Sequence, residues 1–358
     1  MSHVLILTAG YGEGHNAAAR ALAEGVCALG GVPEVRDLFL ETYGHRQETS
    51  RRLYLQCIDR APWLWAAIFR ALDFRPVIWA SMHTLWPLKA RLRALIDERR
   101  PDVVVSVYPV YGHLFDQLYP TGRPFAEHTL ITDSISVNSI WYTRGTDSYI
   151  TANAATTAVV RAARPGAAVN ALGFPVGTVF ADSRPVRIPP GDSEPLRVLF
   201  MVNHAKGGSA MLVRRLLAMP HIQLTVTVGR DAALGRELAA VAAAMKRPLE
   251  VLGWVKNMPE LLMTHHVLIG KAGGAATQEA LAAHTPMLIT QVVPGQEEGN
   301  AQLIVENECG ALTTTAAAVE ETLDAIAQDH FARWKYWAAQ TAIIGRPDSA
   351  RAVARFIL

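Results

Sequence analysis

The sequence predicts an α/β protein of two Rossmann-like domains, each a parallel sheet covered by helices, and three observations point there. Short β-branched runs at residues 4–7, 103–107, 129–132, 198–202, 224–228, 267–270 and 287–290 alternate with Ala- and Leu-rich stretches of helical period. Each half opens with a strand, a glycine-containing turn and a helix, at Gly10 to Gly14 and again at Gly207 and Gly208. With 358 residues the chain exceeds one ordinary core, and residues 182–195, with four prolines, fall where two halves would join. The expected division is therefore 1–182, a linker at 183–195, and 196–358, with a C-terminal helix able to return to the first domain. Both glycine turns would then face an interdomain cleft, since ligands sit beyond the carboxyl ends of parallel strands.

Composition narrows the class. Half of the residues are hydrophobic and 18% are charged, which suits a globular protein and excludes a disordered one. A net charge of +2, with bases and acids nearly balanced, gives no basic domain of the kind a nucleic-acid partner requires. Cys27, Cys57 and Cys309 match no zinc or disulfide spacing and are expected as buried free thiols. Without a run of about 20 apolar residues no transmembrane helix is expected. Met1 leads into the first strand without a basic leader, so a cytoplasmic location is expected.

The first turn, Thr8-Ala9-Gly10-Tyr11-Gly12-Glu13-Gly14-His15, joins the strand at 4–7 to a helix over 16–29. Gly12 and Gly14 permit close approach of a ligand to the unpaired N–H groups of a helix start. A dinucleotide-binding oxidoreductase is the competitor, and Asp37 even stands where a ribose-binding acid could sit. His15 occupies the third glycine position of that fingerprint, where helix-to-strand packing leaves no room for a side chain. A histidine at this junction suits a general base, or a brace for the helix. Asp133, just beyond the run at 129–132, is a second candidate base, or a cap for the turn Ser134 to Ser136.

In the second half, Gly270-Lys271-Ala272-Gly273-Gly274-Ala275-Ala276-Thr277 follows a strand and opens a helix that carries Glu279 one turn in. Backbone N–H groups and the helix dipole favour a diphosphate there, and the carboxylate of Glu279 suits the two hydroxyls of a ribose. Next, Pro294-Gly295-Gln296-Glu297-Glu298-Gly299-Asn300 gathers amide and carboxylate groups fit for sugar hydroxyls. A third loop, Gly253-Trp254-Val255-Lys256-Asn257, could hold a uracil through its backbone, and Gly208 could add a phosphate contact. His265 and His266 are adjacent, so their side chains diverge and metal binding is not expected.

These segments resemble the glycosyltransferases that make membrane glycolipids, the monogalactosyldiacylglycerol synthases and processive diacylglycerol glucosyltransferases. The peptidoglycan N-acetylglucosaminyltransferase is similar at greater distance. The resemblance runs, in order and over nearly the whole chain, through Gly12-Glu13-Gly14-His15 with Ala19 and Leu22, Thr132-Asp133, Gly173-Phe174-Pro175, Gly253 to Met258, Lys271 to Gly274 with Glu279, and Pro294 to Asn300. It implies a GT-B fold, an acceptor held by the first half, a UDP-sugar substrate held by the second, and an inverting displacement without metal or other cofactor. It assigns Gly273 and Gly274 to the diphosphate, Glu279 to the ribose, Gln296 and Glu297 to the hexose, and His15 ahead of Asp133 as base. The helix N-terminus at Ala275 could meet the charge of the departing UDP, and Thr277 and Asn300 are further donor-binding candidates, although Thr277, one residue past Ala276, would point elsewhere on a helix. Where the family usually has threonine this chain has Ala276, so its phosphate contacts differ.

Trp63, Trp65, Trp79 and Trp86 crowd into one stretch with Phe69, Phe74, Met82 and Leu85, interleaved with Arg60, Arg70, Arg75, Lys89, Arg91 and Arg93. Indole rings beside cationic side chains suit a segment seated at the lipid headgroups, although such helices also pack inside domains. The expectation is a UDP-hexosyltransferase acting on a diacylglycerol-type lipid, peripheral on the inner face of the cell membrane. A UDP-sugar epimerase of the same fold and a non-catalytic nucleotide-sugar-binding protein are the alternatives.

Overall fold

The apolar runs become strands because a parallel sheet covered on both faces takes its central strands out of water, and Val4, Leu5, Ile6 and Leu7 are wholly buried. The computed structural model describes residues 1–183, 188–191, 194–202 and 208–358. Its first sheet contains β1 (His3–Thr8), β2 (Val32–Asp37), β3 (Val103–Ser106), β4 (Ala126–Leu130), β5 (Ser148–Thr151) and β6 (Val169–Ala171). They lie in the order β2-β1-β3-β4-β5-β6, all parallel. The second contains β7 (Leu196–Met201), β8 (Ile222–Thr227), β9 (Glu250–Leu252), β10 (Val267–Lys271), β11 (Met287–Gln291) and β12 (Gly310–Leu312). Their order is β12-β11-β10-β7-β8-β9, again parallel.

Strand order reverses between β1 and β3 in one sheet and between β7 and β10 in the other. Loops at such a reversal diverge to opposite faces and open a crevice at the carboxyl ends. The turns singled out in the sequence follow β1, β7 and β10. Residues 203–207, with Asn203, His204, Lys206 and Gly207, lie outside the described residues, and Gly208 opens the helix Gly208–Ala218.

By contacts the chain forms one unit from Met1–Thr178, Val293–Asn300 and Asp348–Leu358, and another from Val179–Val292 and Ala301–Pro347. The break thus falls earlier than residue 182, and the first part of the proline-rich stretch is the helix Val179–Ser183. The loop 293–300, read from the sequence as part of the second domain, groups with the first. Sequence adjacency to β11 assigned it wrongly, because its packing partners are residues 54, 69, 134 and 136.

Other departures have local causes. β4 starts at Ala126, ahead of the run at 129–132, because Glu127 and His128 lie inside the strand. The wholly buried Glu127 is tolerated there through its ion pair with Arg123. β5, β6 and β12, three or four residues each, are too short to show a period. The first helix starts at Glu13, before His15, with Gly12 as its N-cap. Cys27 is exposed and Cys57 half-buried, so only Cys309 matches the expected buried thiol.

The C-terminal helix Ser349–Ile357 buries Ala350, Val353, Ala354 and Ile357, an i, i+3, i+4, i+7 stripe. It lies against the helix Glu13–Ala28 so closely that a Cβ on Gly25 would stand 2.3 Å from the carbonyl oxygen of Ala350. Ser349 fixes the approach: its hydroxyl donates to the carbonyl of Phe174 at 2.6 Å and accepts from the N–H of Val176 at 3.2 Å. Alanine at position 25 would gain about 1 kcal/mol of helix propensity. Forcing backbone away from backbone costs about 1–3 kcal/mol. Gly25→Ala is accordingly expected to lower the denaturation midpoint in urea, and a raised midpoint would show that the two helices do not meet this closely.

Candidate active site

In the first unit the turn after β1 is held from the neighbouring strand. The N–H of Gly10 donates to Asp37 Oδ2 at 2.8 Å, while Asp37 Oδ1 accepts from the N–H of Leu40 at 3.0 Å. Both carboxylate oxygens of Asp37 thus serve the protein's own backbone, which removes the ribose role a dinucleotide enzyme would give it. A Cβ on Gly12 would meet nothing within 4 Å, and no side chain caps the helix it begins. Open space in front of uncapped N–H groups is what an anionic or hydroxylated ligand needs. Gly14 lies in the first turn of that helix.

His15 projects from the same turn. Its Nδ1 lies 2.9 Å from the carbonyl oxygen of Val107, just past β3, and 2.9 Å from the hydroxyl of Thr132, just past β4. A carbonyl oxygen only accepts, so Nδ1 carries the proton and Nε2 is left with the lone pair. Tyr108 meets the ring edge-on at 5.1 Å and Trp141 lies 6.0 Å away. Burial among these rings, partly offset by the bond to Val107, lowers the His15 pKa to about 4. The imidazole is therefore neutral at physiological pH, with a basic nitrogen in place.

Asp133 follows Thr132 directly. Its Oδ2 accepts from the indole N–H of Trp141 at 2.6 Å. Burial raises its pKa to about 6, against the pull of that bond. The turn Ser134 to Ser136 is held by other groups: the Ile135 N–H donates to Thr156 Oγ1 at 2.9 Å, and Asn153 donates to the Ser134 hydroxyl at 2.7 Å. Trp141 and Thr132 thus bring the two candidate bases into one cluster.

The loop 293–300 joins this unit through specific contacts. The Tyr54 hydroxyl donates to Gln296 Oε1 at 2.9 Å, and the N–H of Gly299 donates to Ser136 Oγ at 2.7 Å. Gly295, at φ +80°, lies so close to Phe69 that a Cβ there would be 2.7 Å from the ring. Glu297 and Asn300 are buried rather than displayed, and Glu297 Oε2 accepts from the N–H of Val293 at 3.1 Å. Glu297 thus braces the loop, and Gln296 is its half-buried polar member.

In the second unit Gly273 is the N-cap of the helix Gly274–Ala282 and no side chain caps it. The first intrahelical bond runs from the N–H of Thr277 to the carbonyl of Gly273 at 2.9 Å. The N–H groups of Gly274, Ala275 and Ala276 precede that bond and offer the anion site read from the sequence. Thr277, a donor-binding candidate, is wholly buried with its hydroxyl turned to the sulfur of Met287, as its place one residue past Ala276 implies, because one residue along a helix rotates a side chain by about 100°. Its side chain therefore does not reach a donor. Ala276 and Glu279 are half-buried on the same helix.

Gly253 is exposed and Val255 half-buried in the loop after β9. Beside them stands a pair absent from the sequence reading: the guanidinium of Arg230, after β8, lies 4.8 Å from the ring centre of Trp254. A charged residue after Gly229 at the end of an apolar strand was the available signal. His265 and His266 are structural, the first bonded to the carbonyl of Leu261 and the hydroxyl of Thr225, the second accepting from the N–H of Arg197.

Of the four clustered tryptophans, Trp63, Trp79 and Trp86 are 72%, 58% and 68% exposed. Trp65 is not on that surface: its ring meets Tyr54 edge-on at 4.8 Å, since Trp65 and Phe69 form the inward stripe of the helix Pro62–Ala71. Among the basic residues, Lys89, Arg91 and Arg93 are spent on Gln117, Glu41 and Asp97, whereas Arg60, Arg70 and Arg75 are exposed.

Residues 15–176 match the family model of monogalactosyldiacylglycerol synthase. A processive diacylglycerol beta-glucosyltransferase of Bacillus thuringiensis (strain Al Hakam) is 27% identical, covering 99% of this chain and 93% of the relative. Among solved structures, MurG of Acinetobacter baumannii matches with a TM-score of 0.61 at 14% identity, over 100% of this chain and 99% of that one. The UDP-GlcNAc 2-epimerase of Neisseria meningitidis, solved with UDP-GlcNAc, matches with a TM-score of 0.61 at 10% identity, over 99% of each chain. Both structures share the fold with this chain, two parallel sheets of the GT-B type. The fold is that of these structures, and the matched family region and the full-length relative make this chain similar to the glycolipid-forming glycosyltransferases, the monogalactosyldiacylglycerol synthases and the processive diacylglycerol glucosyltransferases.

Proposed function

We propose that the chain transfers a hexose from a UDP-sugar to the hydroxyl of a diacylglycerol-type lipid, with inversion at the anomeric carbon. The observation that carries the chemistry is His15, whose Nδ1 proton is committed to Val107 and whose Nε2 is left as a neutral base. Nε2 takes the proton of the acceptor hydroxyl, the hydroxyl oxygen forms a bond to the anomeric carbon, and the bond from that carbon to the UDP oxygen breaks. The electron pair departs with UDP. Its charge is met by the uncapped N–H groups of Gly274, Ala275 and Ala276, so the step needs no metal. Glu279 is assigned to the ribose, Gln296 to the hexose, and Gly253 and Val255 to the base. An epimerase would share the fold, but it has no use for an exposed indole surface.

That surface is the proposed lipid contact. Trp63, Trp79 and Trp86, with the exposed Phe74 and Ile68, present apolar rings beside Arg60, Arg70 and Arg75. Among the described residues no helix is long and apolar enough to cross a membrane. Peripheral seating at the inner face of the cell membrane fits both facts.

Three outcomes follow. His15→Ala should reduce transfer about a hundredfold or more while the affinity for UDP stays within twofold; transfer at the original rate removes His15 as base. A base works only when deprotonated, so transfer falls as pH drops through its pKa, with a midpoint near 4 for His15 and near 6 for Asp133. The expected acid limb of kcat/KM lies near 4 and survives in Asp133→Asn. A limb near 6 that disappears in that variant hands the role to Asp133. Finally, Trp63→Ala/Trp86→Ala should lower flotation with phosphatidylglycerol vesicles roughly tenfold, and unchanged flotation would sink the membrane assignment.

A further inference from the structure

Gln296 is reached from far along the chain. The hydroxyl of Tyr54, on the helix His45–Arg60, donates to its Oε1 at 2.9 Å. The tyrosine itself is fixed by rings at nearly right angles, Trp65 at 4.8 Å and Tyr11 at 6.3 Å, so its hydroxyl has one place to point. Burial, with the carboxylates of Glu297 and Asp133 nearby, keeps that hydroxyl protonated far above neutral pH. Underneath, Gly295 rests on Phe69 and Gly299 is bonded to Ser136, so the backbone carrying the glutamine is clamped on both sides.

We infer that Tyr54 is a positioning residue for donor-sugar recognition: by occupying Gln296 Oε1 it presents the amide nitrogen, and hence two hydrogen-bond donors, to the hexose. A primary amide is nearly symmetric in shape but opposite in polarity at its two ends. Its terminal torsion is broad and roughly two-fold, so an unheld glutamine shows a sugar hydroxyl either a donor or an acceptor. Held by Tyr54, it shows the donor end only. UDP-hexoses that differ at one stereocentre differ in where a hydroxyl oxygen can receive that N–H, so selectivity among them depends on the tyrosine hydroxyl. This role rests on the assignment of Gln296 to the hexose.

Tyr54→Phe removes the hydroxyl and keeps the ring contacts. It should raise KM for the preferred UDP-hexose about three- to tenfold, compress the kcat/KM ratio between UDP-glucose and UDP-galactose, and leave the affinity for UDP alone within twofold. The double variant Tyr54→Phe/Gln296→Ala should be no worse than Gln296→Ala, because the two act as one unit. If Gln296→Ala leaves KM and the donor ratio unchanged, the hexose assignment itself falls. If Gln296→Ala is costly while Tyr54→Phe is silent, the positioning role alone is overturned. Equal loss of UDP and UDP-hexose affinity in Tyr54→Phe would mark a merely structural tyrosine and overturn it as well.

Discussion

One hydrogen bond, from His15 Nδ1 to the carbonyl of Val107, organises the chemistry of the first unit. It crosses from the first turn of the helix after β1 to the end of β3, the two strands between which the sheet order reverses. It also settles the tautomer, since a carbonyl leaves the ring no choice of which nitrogen bears the proton. Everything the imidazole can do at Nε2 follows from that. The same convergence of strand ends brings in Thr132 and Asp133 from β4, so three neighbouring strands supply the cluster. Parallel pairing is the underlying constraint, because it puts all their carboxyl ends on one side.

The two titrating groups of the cluster are separated by the same cause acting in opposite directions. Desolvation disfavours charge, so it lowers His15 to about 4 and raises Asp133 to about 6. Near neutral pH the result is an uncharged imidazole and an ionised carboxylate. The carboxylate spends one oxygen on Trp141, while the imidazole keeps a nitrogen for chemistry. That division favours histidine as the base.

Much of this was legible in the sequence, and the part that was not has a physical pattern. Glycine turns after apolar runs are local signals, and Gly12, Gly273 and Gly253 all lie at strand ends as expected. What sequence adjacency cannot show is which surface a loop packs on. Residues 293–300 follow β11 yet are held by Tyr54, Phe69 and Ser136, partners more than 150 positions away. Helical phase separates neighbours in the same way: Thr277 and Ala276 differ by one position and therefore by burial, as the sequence implies, whereas Trp63 and Trp65 differ by two positions and therefore by face, which the crowding of tryptophans concealed. The Arg230–Trp254 pair joins two loops that only the β8–β9 pairing makes neighbours.

On the proposed donor side Ala276 stands where the similar glycosyltransferases usually have threonine. A threonine there would add a hydroxyl donor to a phosphate, but the helix Gly274–Ala282 loses little by its absence. Backbone N–H groups at an uncapped N-terminus are fixed by the helix itself and lose no rotamer freedom on binding, whereas a hydroxyl must be ordered first. With no side chain on Gly273 or Gly274 to cover those groups, charge developing on a leaving phosphate meets donors already aimed at it. On the proposed function a preorganised backbone makes the hydroxyl dispensable, and donor selectivity rests instead on a side chain whose polarity is set by a neighbour, Gln296 under Tyr54.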